Sequence, residues 1–450
     1  MKGFWIGLAV AAGAAVQAQE PATRGDLALA YREVERALAV SGPLSEARRV
    51  EVNQAFDRAT LAFFSGATGR ALRSLRELSL ELRGGSGELA RALPGVELDP
   101  PVWVRGEAAP RVVLSSPAGA DGLALRLREA EGQQVVASAR VPAGERETAL
   151  PAMDLPQGVY LLEAHVGDVG VPLRRFTVCE ADPTALRAKL EARLTRLGPS
   201  PDREILAARL KLLTRTPDPQ DTTQVLSRLP ELMRGLPQEL AGLESGRRPY
   251  RGKLGSCWRP YRVGERSVGL RVYGPRAARG GEPLPLVVAF HGAGGDENMF
   301  AWGYGRGVLQ ELAEREGFLL ATPRTEAFVR DPGAAFGALL ATLARDYPIA
   351  RGRIYALGHS LGVMALDGVL RMEAQPLAAA VCFSGMPRSV SALPIHALLG
   401  AKDPLVPARM ARSNRASLEV SVLQGYGHTL GVGPNLPGEV EWLLGRPGWR

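Results

Sequence analysis

A serine hydroxyl is a weak nucleophile at its ordinary pKa, so a chain that uses one must hold it beside a base. Gly358-His359-Ser360-Leu361-Gly362 meets the first requirement: it follows the apolar run Ile354-Tyr355-Ala356-Leu357 and leads into a helical stretch. This is a G-x-S-x-G elbow in the strand-turn-helix setting it needs. So sharp a turn forces unusual backbone angles on Ser360, and the glycines two residues to either side remove side chains that would collide. The hydroxyl is then held above the strand end, and the amide of Leu361, at the start of the helix, points to where negative charge develops. A second amide is expected from His291-Gly292-Ala293-Gly294-Gly295-Asp296, a glycine-rich turn after the strand candidate Leu286–Phe290. Ala293 is assigned that donor. A phosphate-cradling loop is the weaker reading, since no Gly-Lys-Ser/Thr follows.

The base is found among five histidines. His165 lies in a region of short strands, His291 and His359 belong to the two motifs, and His396 sits inside an apolar run. His428 remains, in the glycine-rich Gln424-Gly425-Tyr426-Gly427-His428-Thr429 after the last strand candidate. Its orienting carboxylate is expected at the end of the preceding strand, where Gly400-Ala401-Lys402-Asp403-Pro404 presents Asp403, although Asp-Pro is also an ordinary turn former. Phe300, Trp302 and Tyr304 are read as an aromatic rim that contacts substrate, with packing as the other reading. The chemistry of this set is acyl transfer, with no cofactor and no metal; no His/Cys cluster has zinc spacing.

These residues need a sheet to carry them. From about Pro249 onward, strand candidates (Gly269–Val272, Leu286–Phe290, Phe318–Thr322, Ile354–Leu357, Ala378–Phe383, Ile395–Leu399, Leu418–Leu423) alternate with helical stretches, the signature of a mostly parallel sheet. Residues 247–450 are therefore expected to form one α/β catalytic domain. Upstream, apolar residues at helical spacing (Leu27, Tyr31, Val34, Leu38, Leu72, Leu75, Leu78) predict a helical module over 19–97. Short alternating runs between turn residues predict a β-sandwich over 98–180, and a Leu-rich face with Asp182-Pro183 and Pro201-Asp202 as start signals predicts a helical linker bundle over 181–246. None of these holds a catalytic candidate, so they are expected to be structural or positioning elements, and a chain starting near Arg247 to keep its chemistry if folded. Only Ser384–Pro394 separates two late strands, too few residues for a capping domain, which predicts a shallow site covered by short loops.

The last 200 or so residues resemble the α/β-hydrolase superfamily. Within it they are most similar to secreted bacterial esterases of the polyhydroxybutyrate depolymerase and feruloyl esterase type. The likeness rests on Leu270-Arg271-Val272-Tyr273-Gly274-Pro275, His291-Gly292-Ala293-Gly294-Gly295, Leu312–Pro323 and Gly358-His359-Ser360-Leu361-Gly362. The order Ser360, Asp403, His428 is that superfamily's order. Val363 departs from the pattern, standing where relatives often carry glycine, which bears on helix packing beneath the elbow and not on the triad. The resemblance implies a serine esterase acting on a small-molecule or polymer ester. Two alternatives are a prolyl-oligopeptidase-like serine peptidase, whose propeller would need four-stranded repeats absent from the N-terminal half, and a non-catalytic binding protein on a hydrolase scaffold. Leu155-Pro156-Gln157-Gly158-Val159-Tyr160 looks like the closing hairpin of bacterial immunoglobulin-like modules.

The bulk numbers narrow the partners. The formal charge of +8 is spread over scattered arginines, not clustered into the footprint that nucleic-acid binding needs. Met1-Lys2 followed by the apolar run Gly3–Val16 is too short to span a bilayer and reads as a signal peptide over 1–18, ending at Val16-Gln17-Ala18. The mature protein is then expected to be secreted or periplasmic, with no membrane insertion after cleavage. Three cysteines leave at least one unpaired, and a Cys179–Cys257 bridge is a possibility that spacing alone leaves open.

Overall fold

The computed structural model describes residues 22–446 except 88–92, 133, 152–153, 167–168, 375, 390–391 and 412–416; the expected signal peptide lies outside the described residues. The C-terminal half is built on an eight-stranded sheet of β9 (Gly255–Val263), β10 (Arg266–Gly274), β11 (Leu284–Phe290), β12 (Leu319–Pro323), β13 (Ile349–His359), β14 (Leu377–Phe383), β15 (Ile395–Gly400) and β16 (Leu418–Leu423). Their spatial order is β16-β15-β14-β13-β11-β12-β10-β9. The five pairings from β16 to β12 are parallel, and β10 pairs antiparallel with both β12 and β9. β11 is buried at all seven positions, as a central strand covered on both faces must be. β9 is the strand that periodicity did not predict. It is an edge strand carrying Arg259, Pro260 and Arg262, and its buried Arg259 is neutralised by Asp346 at 2.5 Å.

Period-two alternation along β11 sends its side chains into two cores. Leu286, Val288 and Phe290 pack with Phe328, Phe336, Leu339 and Val363 on one face. Val287 and Ala289 face the other way, where they meet Leu312, Leu436 and, unexpectedly, Tyr31, Val34, Phe56 and Leu75. These last come from α1 (Arg24–Val40), α2 (Glu46–Phe64) and α3 (Thr68–Leu82). The N-terminal helices thus share one core with the C-terminal sheet. α1 begins where its sequence says it should, with a Thr23/Asp26 capping box.

Between them the chain forms a two-sheet module. β1 (Val96–Asp99), β3 (Arg111–Leu114) and β6 (Glu147–Ala149) make one sheet; β2 (Val102–Val104), β8 (Val169–Cys179), β7 (Gly158–Val166), β4 (Leu123–Glu129) and β5 (Val135–Val141) make the other. Trp103, Leu125, Leu162 and Phe176 lie in the core they share. The linker follows as α4 (Pro183–Leu194), α5 (Pro201–Leu210), α6 (Thr222–Leu226) and α7 (Leu229–Glu244), with Asp182 and Ser200 capping the first two ahead of their prolines. Cys179 and Cys257 both belong to the linker's apolar core but are free thiols, not a bridge; Cys257 Sγ lies 3.2 Å from the Arg209 guanidinium. Cys382 is a buried thiol in β14.

Candidate active site

β13 ends in the elbow and α11 (Leu361–Leu370) begins just past it, after α8 (Val308–Glu316), α9 (Glu326–Arg330) and α10 (Pro332–Asp346). Ser360 has φ 52° and ψ −110°, a left-handed strain that a non-glycine residue rarely bears. Its N–H is held by the Phe383 carbonyl at 2.9 Å. The glycine at 362 is required by close approach: a Cβ there would stand 2.0 Å from the Phe290 carbonyl oxygen. Phe290 pairs with Gly358 across neighbouring parallel strands, so the loop after β11 and the elbow after β13 emerge side by side at the carboxyl ends of the sheet. Ala293 is exposed in that loop. Leu361 is the first residue of α11, so its N–H has no partner within the helix.

His428 Nε2 lies 3.0 Å from Ser360 Oγ, and His428 Nδ1 lies 2.8 Å from Asp403 Oδ2. The other Asp403 oxygen accepts the N–H groups of Leu405 and Val406 at 2.8 and 2.9 Å, which fixes the carboxylate. With Nδ1–H donating to Asp403, Nε2 is left to accept the serine proton. The His428 backbone carbonyl is held as well, accepting from Ser384 Oγ at 2.6 Å and His359 Nε2 at 3.0 Å. Burial pushes the His359 imidazole down to about 3, so it is neutral; since Nε2–H donates to the carbonyl, Nδ1 accepts the Tyr304 hydroxyl at 2.7 Å. His396 is engaged elsewhere, between Glu439 and Ser421.

Two residues of α2 touch this loop, and neither was singled out from sequence. Asn53 Oδ1 accepts the Gly427 N–H at 2.9 Å, and Asp57 Oδ1 accepts the His428 N–H at 3.1 Å. A Cβ on Gly427 would fall 2.0 Å from Asp57 Oδ2, so only glycine admits the helix this close. The available signal was a pair of polar residues four apart on the face that buries Val52 and Phe56, but a partner some 370 residues away leaves no local pattern. Burial raises the Asp57 carboxyl to about 6. The Ala293 loop is tied down in the same manner. Arg24 of α1 donates to the Gly294 and Gly295 carbonyls at 3.2 Å, and Thr222 of α6 hydrogen-bonds Asp296.

The aromatic rim needs correction. Phe300 and Tyr304 are 0% and 1% exposed, because the turn carrying them folds under α1, where Tyr304 packs edge-on against Tyr31 and Phe300. Trp302 is half-buried, with the Arg271 guanidinium stacked 3.5 Å from its ring centroid. Phe300 therefore has no place at a rim, while Tyr304 and Trp302 line a cavity beneath the helices. The expectation that short loops alone cover the site is also corrected. The cover comes from the other end of the chain: Phe63 of α2 reaches over the Ala293 loop so closely that a Cβ on Gly294 would lie 2.3 Å from its ring.

No family model and no curated protein sequence matches the chain. Among solved structures it is similar to an esterase of Thermogutta terrifontis (18% identity, covering 43% of this chain and 93% of that one, TM-score 0.35). It is also similar to the S-formylglutathione hydrolase of Staphylococcus aureus (13%, 43% and 99%, TM-score 0.36) and to the acetyl xylan esterase of Aspergillus awamori (15%, 42% and 98%, TM-score 0.33). These solved structures are of the α/β-hydrolase type.

Proposed function

We propose that this chain is a serine hydrolase that cleaves carboxylic esters through an acyl-enzyme. The observation that carries the reading is the unbroken relay from Asp403 through His428 to Ser360, at 2.8 and 3.0 Å, on a strained elbow. Ser360 Oγ forms a bond to the ester carbonyl carbon as its proton passes to His428 Nε2, and the carbonyl pair moves onto oxygen. The Ala293 and Leu361 amides are the donors assigned to that oxyanion. Collapse expels the alcohol, which takes the proton from Nε2. Water then repeats the attack, and the carboxylic acid leaves. Asp403 keeps Nδ1–H directed at itself throughout.

The N-terminal half folds as helices and a two-sheet module, and the described residues include no four-stranded blades, so nothing favours the propeller-bearing peptidase over the esterase. The two-sheet module is read as an immunoglobulin-like positioning element. The chain is read as an exported protein, and no described helix is long and apolar enough to cross a membrane. The test is hydrolysis of simple ethyl esters by the purified protein, followed by proton release. His428→Ala is expected to lower turnover by about three orders of magnitude or more, the scale of losing a triad base. Full turnover in that variant would remove the reading.

A further inference from the structure

The helical roof does not close flush on the catalytic domain. It leaves a cavity of about 170 Å³ whose upper wall is Leu27, Tyr31, Phe56 and Phe63, and whose floor is Met299 and the Gly292–Gly295 loop. Ala293, the exposed residue assigned as an oxyanion donor, also lines it with His359 and Thr429, so the cavity adjoins the loop beside Ser360 and His428. The charged side chains at its edge are already engaged: Arg24 with the loop carbonyls, Arg32 with Glu131, and Asp296 with Thr222. Tyr304 has its hydroxyl on His359 and presents ring alone.

We propose that this cavity receives the apolar part of the ester, and that α1 and α2 thereby set substrate specificity; the inference rests on the esterase reading above. A lining this apolar disfavours a charged group, since the charged side chains at its edge are already paired. Its volume fixes the size of the group. An apolar protein cavity of roughly 150 Å³ holds one benzene molecule, so the occupant here is a single six-membered ring or a short branched chain. The carbons of a long acyl chain beyond that size would lie outside the cavity. Phe63 is a wall side chain that lies against Gly294, so its truncation enlarges the cavity on that side.

The experiment compares ethyl acetate, ethyl phenylacetate, benzyl acetate and ethyl palmitate by proton release, each rate normalised to hydroxide hydrolysis so that intrinsic reactivity cancels. One of the two ring esters is expected to exceed ethyl acetate in kcat/KM by about tenfold or more, the scale of discrimination by an apolar pocket, and ethyl palmitate to show no further gain. Which ring ester wins tells whether the acyl or the alcohol group occupies the cavity. Ala28→Leu, which places carbon into the cavity from α1, should lower the ring-to-acetate ratio about tenfold. Phe63→Ala should shift the preference to a two-ring ester. A loss of folded protein would lower all rates together and leave the ratios unchanged, and the wild-type series decides by itself if both variants misfold. Equal normalised rates across the series, a maximum at palmitate, or a ring preference that survives Ala28→Leu in folded protein would overturn the proposal. Ethyl acetate turnover lost in Ser360→Ala would leave the esterase reading standing in each of those cases; no turnover of any ester would remove both.

Discussion

The His428 loop is gripped from both sides: Asp403 and Ser384 on the sheet, Asn53 and Asp57 on α2. Each hydrogen bond removes a freedom the imidazole would otherwise have, and the ring is left with Nε2 facing Ser360. Asp57 makes this grip at a cost. One of its oxygens accepts the His428 N–H, but Oδ2 is buried without a partner, and desolvation raises its pKa from 3.8 to about 6. A carboxyl whose folded pKa lies above its unfolded one binds its proton more readily in the folded state. Its penalty is absent below about pH 4, grows as pH rises, and is complete above about pH 6. Asp57→Asn retains the acceptor for His428 without the charge. We expect its melting temperature to match wild type near pH 4 and to exceed it at pH 8; equal melting temperatures at pH 8 would show that the carboxylate is not a burden. The elbow was open to sequence reading because its strain and its glycines are local. Asn53 and Asp57 were not, because what they hold is distant along the chain.

At the level of elements, the strands from β10 to β16 were readable from apolar runs, and so were the capped helices at Asp182-Pro183 and Pro201. β9 was not, since an edge strand need not be apolar and this one buries an arginine against Asp346. The larger omission was the destination of α1–α3. Helical spacing announced an apolar face on each, and an apolar face says nothing about which surface will cover it. Here it is the sheet face of Val287, Ala289, Leu357 and Phe383. A chain starting near Arg247 would expose that face to water along with the Ala293 and His428 loops that Arg24, Asn53 and Asp57 hold. The shortened protein is therefore expected to aggregate, or to bind a dye specific for exposed apolar surface with ester turnover reduced at least tenfold. Soluble, fully active protein from that start would return the N-terminal helices to the role of accessory modules.

The molecule as a whole places Ser360, Asp403 and His428 at one end of a mostly parallel sheet and draws the cover over them from the opposite end of the chain. The β module and linker lie in sequence between the two, and they are joined to both. Glu33 of α1 meets Arg128 of β4 in a buried ion pair, and Thr222 and Thr223 of α6 enter the hydrogen-bond group of Asp296, Glu297 and Asn298 behind the Ala293 loop. The roof is thus joined to both the β module and the linker that precede the C-terminal sheet, and it covers the site from the far end of the chain. Ser360 is the proposed nucleophile of that site. The direct test is to treat the intact protein with a small ethyl fluorophosphonate and locate the adduct by peptide mass spectrometry. The account predicts one stoichiometric adduct on Ser360, absent from Ser360→Ala; an adduct on another residue, or labelling that persists in that variant, would contradict it.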